Sequence, residues 1–123
     1  MDRREIVYTL LQLVPTGYTV TYSLLARLAG TTPRAIGSYM RSNPNPVIVP
    51  CHRVVRSDGS LGGYSRGGSR VKEKLLRLEG VEVNGGRVLG RIIREVEEFW
   101  RVVEENGYSI PLDFDDPRDD YSP

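Results

Sequence analysis

Pro44, Pro46 and Pro50 constrain this chain more than any other feature. They fence the segment Asn43-Pro44-Asn45-Pro46-Val47-Ile48-Val49-Pro50-Cys51-His52-Arg53-Val54-Val55. Each proline fixes φ and removes a backbone donor, so no helix interior runs through the segment, and Pro50 cannot continue a central strand. The apolar run Val47-Ile48-Val49 reads as a strand, with the thiol of Cys51 held at its end. Cys51 and His52 are the only cysteine and the only histidine in the chain, and they are adjacent. A lone cysteine is often just a small buried hydrophobe. Here the stiff flanks and the neighbouring base favour a displayed nucleophile, because a thiol needs a base or cation nearby to become the attacking thiolate. In an extended backbone His52 points to the opposite face, so it reaches the thiol only through a turn or a water.

Composition narrows the classes. At 123 residues the chain holds one domain, or one domain with an appendage. A single cysteine excludes an internal disulfide, suits a reducing compartment and, with one histidine, makes a Cys/His zinc site untenable. No apolar run reaches membrane-spanning length and Met1-Asp2-Arg3-Arg4-Glu5 leads into no secretory core, so a cytoplasmic protein with no membrane partner is expected. The net charge of +1 conceals a split: residues 1–80 carry +7 and residues 81–123 carry −6. A basic body with an acidic tail is the asymmetry expected of a nucleic-acid binder, although any small domain can carry a few excess arginines.

Read in order, Asp2 caps a helix to about Val14, with Ile6, Leu10, Leu11 and Leu13 near one face and Pro15-Thr16-Gly17 ending it. Tyr18 to Tyr22 is β-prone. Ser23 reads as the cap of a short helix, Leu24 to Ala29, closed by Gly30. Thr32 caps a third helix, with Pro33 at its first position, running to about Met40. Two short helices around Gly30-Thr31 form a helix-turn-helix, a motif that binds DNA but also occurs as plain packing. Ala35, Gly37 and Ser38 are small, and Gly37 weakens a helix interior. They suit either a helix–helix contact or close approach to DNA, with Arg34 and Arg41 facing roughly the same way. Val54-Val55 is a strand and Arg56 to Ser60 a turn. Leu61-Gly62-Gly63-Tyr64-Ser65-Arg66-Gly67-Gly68 is a Gly-rich loop without the lysine of a phosphate cradle. A fourth helix, about Ser69 to Leu78, is expected to turn Val71, Leu75 and Leu78 inward and Arg70, Lys72, Lys74 and Arg77 outward. Glu79 at its C-terminus is disfavoured by the dipole and needs either a partner or solvent. Val81 to Val88 is a tight hairpin. Leu89 to Asn106 reads as an amphipathic helix, and residues 108–123 as an acidic, partly disordered tail. The chain is therefore divided into 1–88, a packing helix at 89–107, and the tail. The fold class is mainly α with short β hairpins, a winged-helix-like domain containing a helix-turn-helix.

Asn43-Pro44-x-Pro46 followed by Ile48-Val49-Pro50-Cys51-His52-Arg53-Val54-Val55 resembles the active-site segment of the O6-alkylguanine-DNA alkyltransferases. Arg34-Ala35-Ile36-Gly37-x-x-Met40, Gly-x-Tyr64-Ser65 and Leu75-Leu76-x-Leu78-Glu79-Gly80 are similar to that family's recognition helix, substrate loop and glutamate segment. The likeness covers about residues 1–88, the family's C-terminal catalytic and DNA-binding domain. Members usually carry another domain before it, whereas this chain begins at the first helix. Tyr39 is bulkier than the residue usual in the recognition helix.

The resemblance implies irreversible, stoichiometric transfer of an alkyl group, typically methyl, from O6-alkylguanine in double-stranded DNA to Cys51. O4-alkylthymine is a further candidate lesion. It implies that Arg34 enters the base stack as the nucleotide is flipped out, and that Ala35, Gly37, Ser38, Arg41 and Thr21 contact DNA. Tyr64, Ser65 and the Val54 and Cys51 carbonyls would bind the base, and Tyr22 would protonate N3. Asn43 would brace the cysteine turn, and His52, oriented by Glu79, would take the thiol proton through a water. A monomer without cofactor or metal is implied. The alternative is a non-catalytic alkyltransferase-like sensor of lesions, a group that replaces the cysteine. A helix-turn-helix regulator would leave Cys51, Tyr64-Ser65 and Glu79 unexplained.

Overall fold

Asp2 starts the first helix by accepting the Glu5 amide at 2.9 Å, and α1 (Arg3–Gln12) follows. A computed structural model describes residues 1–107; the tail expected at 108–123 lies outside the described residues. Helix α1 ends before the expected Val14, because Leu13 and Val14 turn back onto Leu10 and Leu11 carbonyls ahead of Pro15. Its buried stripe is Val7, Leu10, Leu11 and Val14, an i, i+3, i+4, i+7 set, while Ile6 and Leu13 are only half-buried.

Strand β1 (Thr19–Thr21) runs straight into α2 (Tyr22–Ala29). The cap of α2 is Thr21, whose Oγ1 accepts the Leu24 amide at 3.0 Å, and not Ser23 as expected. Gly30 closes α2 at φ +69°, a conformation glycine adopts without penalty. Thr32 then caps α3 (Pro33–Arg41) by accepting the Ala35 amide at 3.1 Å. These two helices pack together as the helix-turn-helix.

The run before the cysteine is not a strand. Val47 sits at φ +75° and is exposed with Ile48, and only Val49 is buried. Prolines at 44 and 46 deny the run a ladder, and Asn43 holds it instead, donating Nδ2 to Val49 O at 2.8 Å. Cys51 opens a 3-10 turn, Cys51–Arg53, which leads into β2 (Val54–Val55). The thiol thus precedes its strand rather than ending one.

Helix α4 (Gly68–Leu78) is rotated from the expected face. Lys72 and Leu76 are fully buried, whereas Val71 and Leu78 are exposed. The hairpin forms as expected from β3 (Val83–Asn84) and β4 (Arg87–Val88), turning through Gly85 and Gly86, both at positive φ. The helix expected over Leu89 to Asn106 is shorter: α5 is Val96–Glu105, and Ile92–Ile93 form β5. Arg91 at φ +57° interrupts any helix there, and the β-branched pair joins the open edge of β1, with Thr19 donating its amide to Arg91 O at 3.0 Å.

The sheet order is β2-β1-β5, parallel throughout, with Val20 opposite both Val54 and Ile93. The domain is therefore mainly helical with short strands, and among the described residues only one strand pair is a hairpin. One core joins α1, α2, α3, β1 and the Phe99–Trp100 face of α5; a smaller cluster gathers Val55, Leu61, Leu76, Val81, Val83 and Val88. The cysteine turn lies at their junction. Among the described residues no helix is long and apolar enough to cross a membrane.

Candidate active site

Parallel pairing of Thr21 with Val55 brings the residues that follow them, Tyr22 and Arg56, to the same end of the sheet. There they line a cleft of about 640 Å³ with Cys51, Tyr64, Ser65, Gly62 and Gly63. Helix α3 forms the opposite wall through Pro33, Arg34, Gly37, Met40 and Arg41, and Ser23 and Ser57 complete the rim. This size suits a small organic group.

Cys51 is 4% exposed yet borders the cleft. The 3-10 turn directs the adjacent His52 into the interior, where it is fully buried. Its Nε2 lies 3.0 Å from Glu79 Oε2. Glu79 is gripped on its other side by Arg53, Nε to Oε1 at 2.9 Å and Nη2 to Oε2 at 2.6 Å. Arg53 is itself anchored on Val14 O and Thr16 Oγ1. Burial works against the ionised carboxyl, but hydrogen bonds from Arg53 and His52, and their charges, outweigh it and hold Glu79 at about 2. An ionised carboxylate only accepts, so Nε2 carries the proton, and in a neutral ring Nδ1 is then the basic atom. That Nδ1 is buried with no hydrogen-bond partner among the described residues.

Both phenols at the cleft are pushed above their ordinary value. Burial raises Tyr22, opposed by Arg56 and reinforced by Cys51; burial also raises Tyr64, again reinforced by Cys51. Each keeps its proton at neutral pH and is a donor. Asn43 is buried and braces the loop that carries the cysteine, with Oδ1 accepting the Asn45 amide at 2.9 Å and its backbone oxygen accepting Arg66 Nη2 at 3.1 Å.

The cleft brings together Cys51, Tyr22, Tyr64, Ser65, Arg34, Gly37 and Arg41. Ala35 and Ser38 stand off it, on α3 but outside the lining. Thr21 does not fit a role at a DNA surface: it is buried and its hydroxyl caps α2. Val54 is also buried, and its carbonyl already accepts Lys72 Nζ at 2.6 Å. Tyr39 turns away from the cleft toward α1, its carbonyl accepting Tyr8 Oη and its ring beneath Arg4. A Cβ at Gly37 would meet only Arg41 Nη1, at 3.5 Å. No packed helix among the described residues therefore demands glycine there.

Sequence reasoning missed Arg53, Arg56 and Lys72. Arg53 lies inside the cysteine segment, where no local pattern gives it a role. By sequence Lys72 faces solvent, because Val71, Leu75 and Leu78 make a more apolar stripe. Nothing in that pattern signals a buried cation.

Residues 2–81 match the family described as "6-O-methylguanine DNA methyltransferase, DNA binding domain". The chain is 55% identical over 80 residues to a methylated-DNA–protein-cysteine methyltransferase of Mus musculus, covering 63% of this chain and 38% of that protein. The fold is similar to that of Mycobacterium tuberculosis OGT in a crystal structure with DNA, at TM-score 0.61 and 39% identity, covering 65% of this chain and 49% of the other. It is also similar to S. pombe Atl1 in complex with damaged DNA containing O6-carboxymethylguanine, at TM-score 0.60 and 28% identity, covering 67% and 79%. The chain spans less than half the length of the first curated relatives it matches.

Proposed function

The chain belongs to the 6-O-methylguanine DNA methyltransferase family through its DNA-binding domain, and from that premise we propose that it repairs DNA by moving an alkyl group from O6-alkylguanine onto Cys51. The observation that carries the reading is the Cys51 thiol beside the cleft, backed by His52 whose far nitrogen is tied to Glu79.

Helix α3 docks on the duplex with Arg34 and Arg41 toward the phosphates and bases. Gly37 permits the close approach, and the damaged base turns out into the cleft. A base held in the stack hides its O6, so extrusion is required by the chemistry. Tyr22, Tyr64 and Ser65 surround the base as hydrogen-bond partners.

The Cys51 thiol proton passes to His52 Nδ1, directly or through one water, and Glu79 stabilises the resulting imidazolium. The thiolate sulfur attacks the O6-bound carbon in line; the S–C bond forms as the C–O6 bond breaks. The electron pair returns to the guanine ring, and Tyr22 donates its proton to N3, so that neutral guanine leaves. The Tyr22 phenolate left behind lies beside Arg56 and regains a proton from solvent as His52 releases its own. The thioether is stable, so each molecule reacts once. The chain acts in the cytoplasm, as a monomer.

Likeness to the S. pombe protein bound to damaged DNA supports a second reading, a sensor that binds lesions without transfer. Intact mass after incubation with an O6-methylguanine duplex separates the two. Repair adds one methyl to the peptide containing Cys51 and leaves unmodified guanine, and Cys51→Ser abolishes the gain while retaining binding. Tight lesion-selective binding with no mass change would overturn transfer.

A further inference from the structure

Among the described residues Lys72 is the only lysine or arginine that is fully buried, and the transfer chemistry leaves it unused. Its Nζ donates to Val54 O at 2.6 Å and Gly63 O at 3.4 Å, and lies 5.9 Å from the centre of the Tyr22 ring. These partners come from β2, the Gly-rich loop and the first turn of α2, three elements that meet at the cleft.

The loop has other holds: Tyr64 packs against the main core and its carbonyl accepts the Gly68 amide at 2.9 Å. Leu61 donates its amide to Gly86 O at 3.1 Å at one end, and Arg66 reaches Asn43 O at 3.1 Å at the other. Between them Gly62 and Gly63 have no side chains with which to pack, and Gly62 sits at φ +71°. The Gly63 carbonyl is thus a tether on the Gly62–Gly63 stretch that leads into Tyr64 and Ser65.

We propose that Lys72 is a positioning residue whose ammonium ties the Gly63 carbonyl to β2 and so sets the distance between the Tyr64–Ser65 wall and Tyr22. An ammonium offers three donors, enough for both carbonyls, and its charge suits the face of the Tyr22 ring. The functional consequence rests on the alkyl-transfer reading; the structural one does not.

The titratable and charged groups facing Lys72 are Tyr22 from α2, Cys51 from the 3-10 turn and Arg56 from the turn after β2. Burial lowers Lys72 to about 8, with Cys51 opposing the shift and Arg56 adding to it. The amine formed above that pH donates weaker bonds than the ammonium, so the loop loosens there.

Lys72→Met, which keeps the bulk and removes the donors, is compared with wild type and Lys72→Arg by amide hydrogen exchange at neutral pH. Lesion selectivity, the ratio of affinities for O6-methylguanine and unmodified duplexes, is measured in the Cys51→Ser background across about pH 7 to 9.5. Exchange in residues 61–66 should quicken about tenfold in Lys72→Met while α5 is unaffected. Selectivity should fall several-fold as pH rises across that range with Lys72 present, and should be low and flat without it. Unchanged loop exchange in Lys72→Met, or the same pH profile in both proteins, overturns the proposal. If Lys72→Met does not fold, wild-type loop protection, corrected for intrinsic exchange, decides: constancy across that range overturns it and a fall supports it. Absence of lesion-selective binding by wild type would sink the transfer reading alone, since loop exchange still judges Lys72.

Discussion

Glu79 and Lys72 are both charged groups built into the walls behind Cys51, and the molecule handles them in opposite ways. Glu79 meets the Arg53 guanidinium and a hydrogen bond from His52, and its carboxyl is held at about 2 despite burial. Lys72 meets backbone carbonyls, a ring face, a thiol and a like charge, and burial takes it down to about 8. Counter-charge decides the difference. Dipoles alone do not offset the loss of water around an ion, whereas a bidentate guanidinium does. The carboxylate is consequently a permanent charge over the physiological range, and the ammonium is one that can be lost.

The largest break in this comparison is Glu79→Ala. It leaves Arg53 and His52 without their acceptor, and loss of one partner of a largely buried pair should cost about 3 kcal/mol in chemical denaturation. A change under about 1 kcal/mol would mean that Arg53 is held adequately by Val14 O and Thr16 alone.

Next in size are the pH limbs, which should have opposite origins. Glu79 has a folded value below its ordinary 4.5, so its contribution is complete above about 4.5 and is lost as pH falls toward about 2. Lys72 has a folded value below its ordinary 10.5, so the folded state carries a penalty below about 8 that is relieved as pH rises toward 10.5. Stability of wild type relative to Lys72→Met should therefore rise across that alkaline window. A flat difference would show that Lys72 remains charged when folded. Lesion selectivity and stability should then move in opposite directions above about pH 8, an outcome that a purely structural lysine would not produce.

The smallest effect is expected at Arg27, paired with Glu95 at 3.3 Å with both side chains more than half exposed. Arg27→Met should change stability by less than about 1 kcal/mol, with the residual effect vanishing in high salt. A larger loss would point to its bond to the Arg94 carbonyl rather than to the ion pair.

Much of this architecture was legible locally. Thr32-Pro33, Gly30 and Asn84-Gly85-Gly86-Arg87 announce a helix start, a helix stop and a hairpin through backbone rules that need no neighbours. In the cysteine segment the prolines barred a helix through their own φ angles, but the strand expected over Val47 to Val49 does not form, and the thiol precedes β2 instead. Elements decided by partners were misread. Ile92 and Ile93 share helical spacing with Val96 and Phe99, but the open edge of β1 captures them as a strand. Val71, Leu75 and Leu78 make the better apolar stripe on α4, but Val54 O and Gly63 O need a donor, and Lys72 turns inward to them.

By itself the sequence determined where the chain must turn, which helices could begin, and that a cysteine and a histidine sit together behind a proline. Those outcomes follow from steric limits on single residues and hydrogen bonds a few positions apart. Tertiary structure alone decided that His52 meets Glu79 across 27 positions, that Thr21 is an internal cap rather than a surface residue, and that a lysine is buried beside the cleft. Such pairings depend on which polar groups are left unsatisfied once the core has closed, a property of the assembled fold and not of any local stretch.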